Sequence, residues 1–225
     1  MTSNRRQFIE RIAGGTAAFA ALPLASPASP DEFASAATPT QQAWDMSWVQ
    51  RVTGAHKAVY DVPEVESGYG VWRASVWMEQ YKQVMGTADR DLRTVLILRH
   101  NAIVLAMTQP FWDEYGLGKA KSVTHPLTTQ PTDRNPALLG EADGVPSPYS
   151  TFALPAFMAR GGIVLACNLA FADCVNLVKG RHGLGDEAAR TRALQSLVPG
   201  VIMQPSGVFA AVRAQEAGAS YVRAS

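Results

Sequence analysis

Cysteine is scarce in this 225-residue sequence, which contains two cysteines and carries a formal net charge of +1. Two cysteines are too few for a disulfide-rich scaffold or a cysteine-rich zinc module. The chain also lacks the excess of basic residues with which nucleic-acid-binding proteins neutralise phosphates, so we expect no nucleic-acid partner. No run of about 18 apolar residues is free of glycine, proline and charge, and we therefore expect no stable membrane span.

Several short motifs of enzymes and cofactor-binding proteins are missing as well. The sequence has no Gly-x-Gly-x-x-Gly motif and no Walker A loop, so it carries no signature for binding nucleotide phosphates. It has no Gly-x-Ser-x-Gly nucleophile elbow, and no Cys-x-x-Cys or His-x-Glu pair provides the spacing of zinc ligands. We therefore predict no cofactor and no resident metal ion.

The composition is that of an ordinary globular protein, with 47% hydrophobic and 17% charged residues. A high apolar content with little net charge argues against disorder. The length suits one domain or at most two small ones, and we find neither an internal repeat nor a second domain boundary. We assign residues 37–54 as a lead-in and residues 55–225 as a single α/β domain.

The first 36 residues have the pattern of an export signal. The segment Asn4-Arg5-Arg6-Gln7-Phe8-Ile9 precedes a mildly apolar stretch at 12–24 and the small-residue pattern Ala34-Ser35-Ala36. This arrangement resembles a twin-arginine signal, although Glu10 stands where such signals usually have lysine. The alternative is an amphipathic helix of the domain itself, which the glycines and prolines of this region would interrupt. We expect the twin-arginine translocase to export the protein to the periplasm, with residues 1–36 removed.

Beyond residue 54, apolar runs of strand length alternate with segments of helical periodicity. The predicted strands are residues 57–62, 94–98, 163–166, 201–203 and 220–223. The predicted helices are residues 68–85, 102–107, 151–160, 169–178, 186–194 and 208–217. This alternation predicts a three-layer α/β/α sandwich with a mainly parallel sheet of about five strands.

Residues 119–149 interrupt the alternation with five prolines among threonine, aspartate, glycine and serine. A connection of this length is uncommon inside a domain. We expect this excursion to be a lid, an oligomer contact or a mobile segment.

Three of the predicted strand ends stand out at the edge where parallel α/β sheets bind their ligands, and two of them carry reactive side chains. These strand ends are Arg99-His100-Asn101, Cys167-Asn168 and Gln204-Pro205-Ser206. Because a helix N-terminus stabilises a thiolate, Cys167 could attack sulfur, accept a persulfide or bind a soft metal. The alternative is that Cys167 is a small buried hydrophobic residue.

The histidines allow several interpretations. His100 could be a general base, a metal ligand or a partner of the thiolate, or it could only satisfy backbone groups at the strand end. We expect the other three histidines, His56, His125 and His182, to be solvated.

Cys174 follows Cys167 by seven residues, which is about 10.5 Å along a helix axis. A disulfide needs Cα atoms about 4.4–6.8 Å apart, so the two cysteines can pair only if the first helical turn is irregular. We expect Cys174 to lie in the core.

Three segments of the C-terminal part resemble the DsrE/DsrF-like family. They read GIVLACNL at 162–169, LVPGVIMQPSGV at 197–208 and AQEAGASYV at 214–222. The family has a strand-end cysteine, a Leu-x-Pro-Gly-Val-x-x-x-Pro-Ser-Gly segment, a helix and a last strand with tyrosine. The segment Leu98-Arg99-His100-Asn101 is similar to the family's strand-end histidine, with Asn101 in place of the usual glycine. The resemblance covers about residues 55–223.

The resemblance implies an α/β/α domain that forms homo-oligomers and, in several members, passes sulfur as a cysteine persulfide. It implies Cys167 as the sulfur acceptor, with a sulfur donor or acceptor protein as partner. We expect His100 to tune the charge state of Cys167, and Asn101, Asn168 and Ser206 to contribute to binding. The alternative function is a non-catalytic periplasmic protein that binds a small molecule or a partner at the same cleft. A metal site formed by Cys167 and His100 is a third interpretation.

Overall fold

Five parallel strands form one sheet in the computed structural model, which describes residues 43–225. The strands are β1 (His56–Val62), β2 (Leu92–Leu98), β3 (Ile163–Cys167), β4 (Ile202–Gln204) and β5 (Ser220–Arg223), in the order β4-β3-β2-β1-β5. The apolar runs predicted to be strands all lie in this sheet. The proposed export signal and residues 37–42 of the lead-in lie outside the described residues.

Seven α-helices connect or follow the strands within residues 43–225. They are α1 (Tyr69–Met85), α2 (Gln109–Tyr115), α3 (Leu117–Ala120), α4 (Leu154–Ala159), α5 (Asn168–His182), α6 (Asp186–Gln195) and α7 (Gly207–Glu216). The short helix predicted at 102–107 is a 3-10 helix, His100–Ala106. Helices cover both faces of the sheet, so the predicted three-layer α/β/α fold is confirmed.

Alternate residues of each strand face different layers, as the twofold period of a strand requires. Leu96, Leu98, Val164 and Ala166 belong to the larger core, which contains residues of α1, α4, α5 and the 3-10 helix. Val95, Ile97, Ile163 and Leu165 belong to the smaller core on the other face, beneath α7. Trp48, in the 3-10 helix Ser47–Arg51, is fully buried in that smaller core, so this part of the lead-in packs on the sheet.

The connections create a switch point at the carboxyl edge of the sheet. The strands β1 to β4 are adjacent in the sheet in the order of the sequence, and the connections between them run on the face of the larger core. The chain then crosses back along the other face through α7 to place β5 beside β1. The helices that follow the neighbouring strands β3 and β4 therefore leave the sheet on opposite faces, which is the arrangement in which parallel α/β sheets bind ligands in a crevice.

The proline-rich excursion is packed against the domain. Asn135 is fully buried and donates hydrogen bonds to the carbonyls of Leu105 and Met107 at 3.1 and 2.7 Å. Leu139 and Val145 also belong to the larger core. The side chain of Asn135 thus ties this long segment to the 3-10 helix that follows β2.

His125, in the same excursion, is buried, and the expectation that it is solvated is wrong. Its Nδ1 atom accepts hydrogen bonds from the backbone N–H groups of Leu127 and Thr128 at 3.2 and 3.3 Å. The turn after His125 therefore wraps around the imidazole, a tertiary arrangement that the polar sequence of this segment does not reveal.

None of the helices in residues 43–225 has the length and apolar character needed to cross a membrane.

Candidate functional site at the carboxyl edge of the sheet

Cys167 is the last residue of β3 and the N-cap residue of α5. Strand alternation puts its side chain on the α7 face, the face of Ile163 and Leu165. The residue is 6% exposed, and its thiol makes no hydrogen bond within residues 43–225. The first turn of α5, which begins next to Cys167, has unpaired N–H groups that favour negative charge at a helix N-terminus.

The strand register determines the neighbours of Cys167. Leu98 of β2 pairs with Ala166 of β3. The residues that follow this pair are Arg99 and Cys167, which therefore lie side by side along the backbone. On the other side, Cys167 pairs with Gln204 of β4. Gln204 is fully buried and donates to the carbonyl of Asp45 at 2.9 Å. The backbone of Cys167 therefore lies between Arg99 at the end of β2 and the buried Gln204 of β4.

Arg99 is held by a carboxylate from the neighbouring strand β1. Its Nε and Nη2 atoms donate to the two carboxylate oxygens of Asp61 at 2.6 and 2.7 Å. The hydroxyl of Tyr221 on β5 donates to the same carboxylate at 2.6 Å. Residues of β1 and β5 and the residue that follows β2 thus form one network at the carboxyl edge of the sheet.

This network sets the charges of its members. Burial raises the pKa of Asp61. The hydrogen bonds from Arg99 and Tyr221 and the guanidinium charge together lower it by more than burial raises it, so the pKa lies below the ordinary value of 3.8. The hydrogen bonds to Asp61 raise the pKa of Arg99, and the nearby Cys167 sulfur adds a smaller electrostatic contribution in the same direction. The positive charge of Arg99 is therefore fixed by Asp61 and lies near enough to Cys167 to interact with it electrostatically.

The first turn of α7 packs against Arg99 at the edge of this site. The alkyl stem of Arg99 passes so close to Gly207 that a Cβ atom there would lie 2.6 Å from the Arg99 Cδ atom. Only glycine allows this approach. Ser206, which we predicted to bind ligand, is the N-cap of α7, and its Oγ atom accepts a hydrogen bond from the N–H of Phe209 at 3.0 Å.

His100 and Asn101 converge on a residue that the sequence did not single out, Glu64. The Nδ1 atom of His100 lies 3.2 Å from one carboxylate oxygen of Glu64, and Asn101 Nδ2 donates to the other at 2.7 Å. His100 has a φ of 51°, a left-handed conformation that is uncommon for a residue other than glycine. Such backbone strain is concentrated at functional sites.

Asn168, the first residue of α5, accepts a hydrogen bond from Arg190 of α6 at 2.7 Å. This contact joins the two helices, and it engages the Asn168 side chain that we predicted to bind ligand.

The structure brings together only part of the predicted site. It joins His100 with Asn101, and it puts Cys167 next to Arg99, but no hydrogen bond within residues 43–225 links His100 to Cys167. A role for His100 beside the thiol stays a prediction. Asp61 and Tyr221 were missed, although Asp61 carries a signal: it is a charged residue near the end of an apolar strand.

Cys174 lies in the core, as predicted. It is fully buried within the larger core, and burial raises its pKa to about 12. The helix α5 runs from Asn168 past Cys174, Cys167 precedes it with an extended backbone, and both thiols are free. In residues 43–225, no three side chains of His, Cys, Asp or Glu cluster as metal ligands would.

A concave surface of about 720 Å³ lies along α6 and is lined by seven residues between Gly185 and Gln195 rather than by strand-end residues. We place the candidate site at the sheet edge instead, because charge, a thiol and the switch point coincide there. No protein-family model matches the chain, and no curated protein matches its sequence significantly.

Proposed function

We propose that this chain is an exported DsrE-like protein that carries sulfur as a persulfide on Cys167. One observation carries the proposal: Cys167 ends β3 and is the N-cap residue of α5 at the switch point, and Arg99 lies at the neighbouring strand end, close enough to interact electrostatically. A helix N-terminus and a fixed cation both stabilise a thiolate and a persulfide anion. The motifs around Cys167 and Ser206 support the same interpretation through their resemblance to the family.

The proposed chemistry requires no cofactor. With thiosulfate as donor, the Cys167 thiolate attacks the sulfane sulfur, a new sulfur–sulfur bond forms, and sulfite leaves with the electron pair of the broken bond. The product is a persulfide anion on Cys167. An acceptor thiolate then attacks the outer sulfur, and Cys167 leaves as a thiolate, which completes the transfer without net oxidation.

The proposal includes the periplasm as the place of action, because residues 1–36 have the twin-arginine pattern. It also includes a homo-oligomer and a separate protein that donates or accepts sulfur, which the family resemblance implies. His100 enters the proposal as the residue that tunes the charge of the site, with its imidazole oriented by Glu64.

Intact mass spectrometry tests the proposal. The reduced full chain is incubated with thiosulfate or polysulfide, and its intact mass is measured. The mass is measured again after treatment with a reductant. We expect wild type and the control Cys174→Ser to gain one sulfur atom that the reductant removes, and Cys167→Ser to gain none. Absence of sulfur on the wild type, or an equal gain by Cys167→Ser, would overturn the proposal.

The second candidate function is non-catalytic binding of a small ligand or partner at the same edge. The observation that favours it is the 6% exposure of Cys167, which restricts access to the sulfur. Under this function, small anions such as sulfate raise the Tm of wild type and Cys167→Ser equally, and no sulfur is loaded. A shift that requires the thiol, together with sulfur loading, supports the persulfide carrier.

A further inference from the structure

The guanidinium of Arg99 has two edges, and they have different surroundings. The edge formed by Nε and Nη2 is occupied by the carboxylate of Asp61. No residue among 43–225 accepts a hydrogen bond from Nη1. Because an arginine fork can bind a planar or tetrahedral anion through two parallel N–H groups, the second edge is suited to a ligand.

The position of this second edge is fixed from two sides. Asp61 is 3% exposed, so rotation of Arg99 away from it would leave a buried carboxylate unpaired. The stem of Arg99 is confined by Gly207, the first residue of α7. The Arg99 side chain is 30% exposed, which leaves the cation accessible to a small molecule that approaches the crevice.

The alignment of Arg99 with Cys167 relates this edge to the thiol. The two residues follow a paired position on adjacent strands, and both side chains lie on the α7 face. The α7 N-terminus and the α5 N-terminus flank the same crevice, and both favour negative charge.

We propose that Arg99 is a specificity-determining residue, whose free edge binds the anionic group of the sulfur donor and selects anionic over cationic reagents at Cys167. Asp61 and Tyr221 are positioning residues that hold the guanidinium in place. This inference rests on the proposed function, because it assigns how that function's donor is recognised.

Two thiol reagents of similar size and opposite charge test this selection. Methanethiosulfonate ethylsulfonate is anionic and methanethiosulfonate ethyltrimethylammonium is cationic, and each forms a disulfide with a thiol and releases methanesulfinate. The rate constants for modification of Cys167 are measured by intact mass, with Cys167→Ser showing that the label is on that residue. We expect the anionic-to-cationic rate ratio to fall about tenfold in Arg99→Gln, the size expected for removing one charge near the sulfur.

Two further variants keep the test informative. The double variant Asp61→Asn/Arg99→Gln leaves no unpaired buried charge, and it should show the same loss of selectivity if Arg99→Gln alone fails to fold. Arg223→Gln removes a positive charge from the same edge of the sheet, where Arg223 bonds the backbone carbonyl of Ser225, and its ratio should stay within about twofold of wild type.

The outcomes separate this inference from the proposed function. A ratio unchanged in both Arg99 variants, or equally lowered in Arg223→Gln, overturns the role of Arg99 even if thiosulfate loads sulfur onto Cys167. Failure of both reagents to modify Cys167 overturns it too, because the site would be closed to ligands. A lowered ratio without sulfur loading supports anion selection by Arg99 and rejects the persulfide carrier.

Discussion

Asp61 is a buried carboxylate in a strand whose neighbouring residues are mostly apolar. Burial of such a charge is unfavourable unless it is paired and hydrogen-bonded, and Arg99 and Tyr221 provide both conditions. Because a buried ion pair adds little stability relative to apolar residues, we infer that its principal effect is to fix the position of Arg99.

Replacement of Asp61 should change how stability depends on pH. The pKa of Asp61 is lowered in the folded protein, so its stabilising contribution is present above 3.8 and is lost as the pH falls below that value. We expect Asp61→Asn to lower the unfolding free energy by roughly 2–3 kcal/mol at pH 7 and to flatten its decline in acid. Urea unfolding at several pH values measures both effects.

The matched control is Asp173→Asn, since Asp173 is exposed on α5 and forms no ion pair with residues 43–225. It should keep the acid-side slope of wild type. Identical slopes for wild type and Asp61→Asn would contradict the ion-pair account.

The left-handed backbone of His100 provides a second residue-level test. A β-carbon in this conformation costs about 1 kcal/mol relative to glycine. His100→Gly and His100→Ala both remove the imidazole, so the hydrogen bond to Glu64 is lost equally. We expect His100→Gly to be more stable than His100→Ala by about 1 kcal/mol in chemical unfolding, and the opposite order would show that the position is unstrained.

At the scale of elements, α7 borders the candidate site, and the conformation of its first turn determines how closely it approaches Arg99. Ser206 supplies the side-chain cap, and Gly207 gives Arg99 the room to pass. The helix also crosses the sheet face that carries Cys167, so its N-terminus faces the proposed anion site. The family-like segment at 197–208 therefore has a structural explanation in this chain: it builds the cap and the close approach.

Loss of the Ser206 cap should therefore destabilise the protein. We expect Ser206→Ala to lower the unfolding free energy by about 1 kcal/mol, and Ser206→Asn to stay within a few tenths of wild type because asparagine also caps helices. Thermal or urea unfolding checks this. Equal losses in the two variants would mean that the hydroxyl has a role other than capping.

At the scale of the whole molecule, contacts between residues distant in sequence determine features of the site that the local periodicity of apolar residues does not predict. The alternation of apolar runs was sufficient to predict the strands, the α/β/α class and Cys167 at a strand end. The Asp61–Arg99–Tyr221 network was not predictable, because it depends on β5 lying beside β1, and strand order is not encoded in local periodicity. Glu64 was missed for the same reason: its link to His100 joins the connection after β1 to the 3-10 helix after β2.

The excursion at 119–149 is also organised by distant contacts. Asn135 satisfies three buried backbone groups, the carbonyls of Leu105 and Met107 and the N–H of Ala137. We expect Asn135→Ala to lower the unfolding free energy by about 3 kcal/mol and to increase proteolysis within the excursion. The control Gln130→Ala removes an exposed side chain of the same segment and should change neither property. If Asn135→Ala is as resistant to protease as the wild type, this anchoring role is contradicted.

The most direct test of the central claim is to locate the transferred sulfur in the unmodified wild-type chain. After incubation with thiosulfate, persulfides are trapped by alkylation, the protein is digested, and tandem mass spectrometry reads the modified cysteine. Our account predicts one additional sulfur on Cys167 and none on Cys174, which is fully buried. A persulfide on Cys174, or an alkylated Cys167 that carries no additional sulfur, would contradict it.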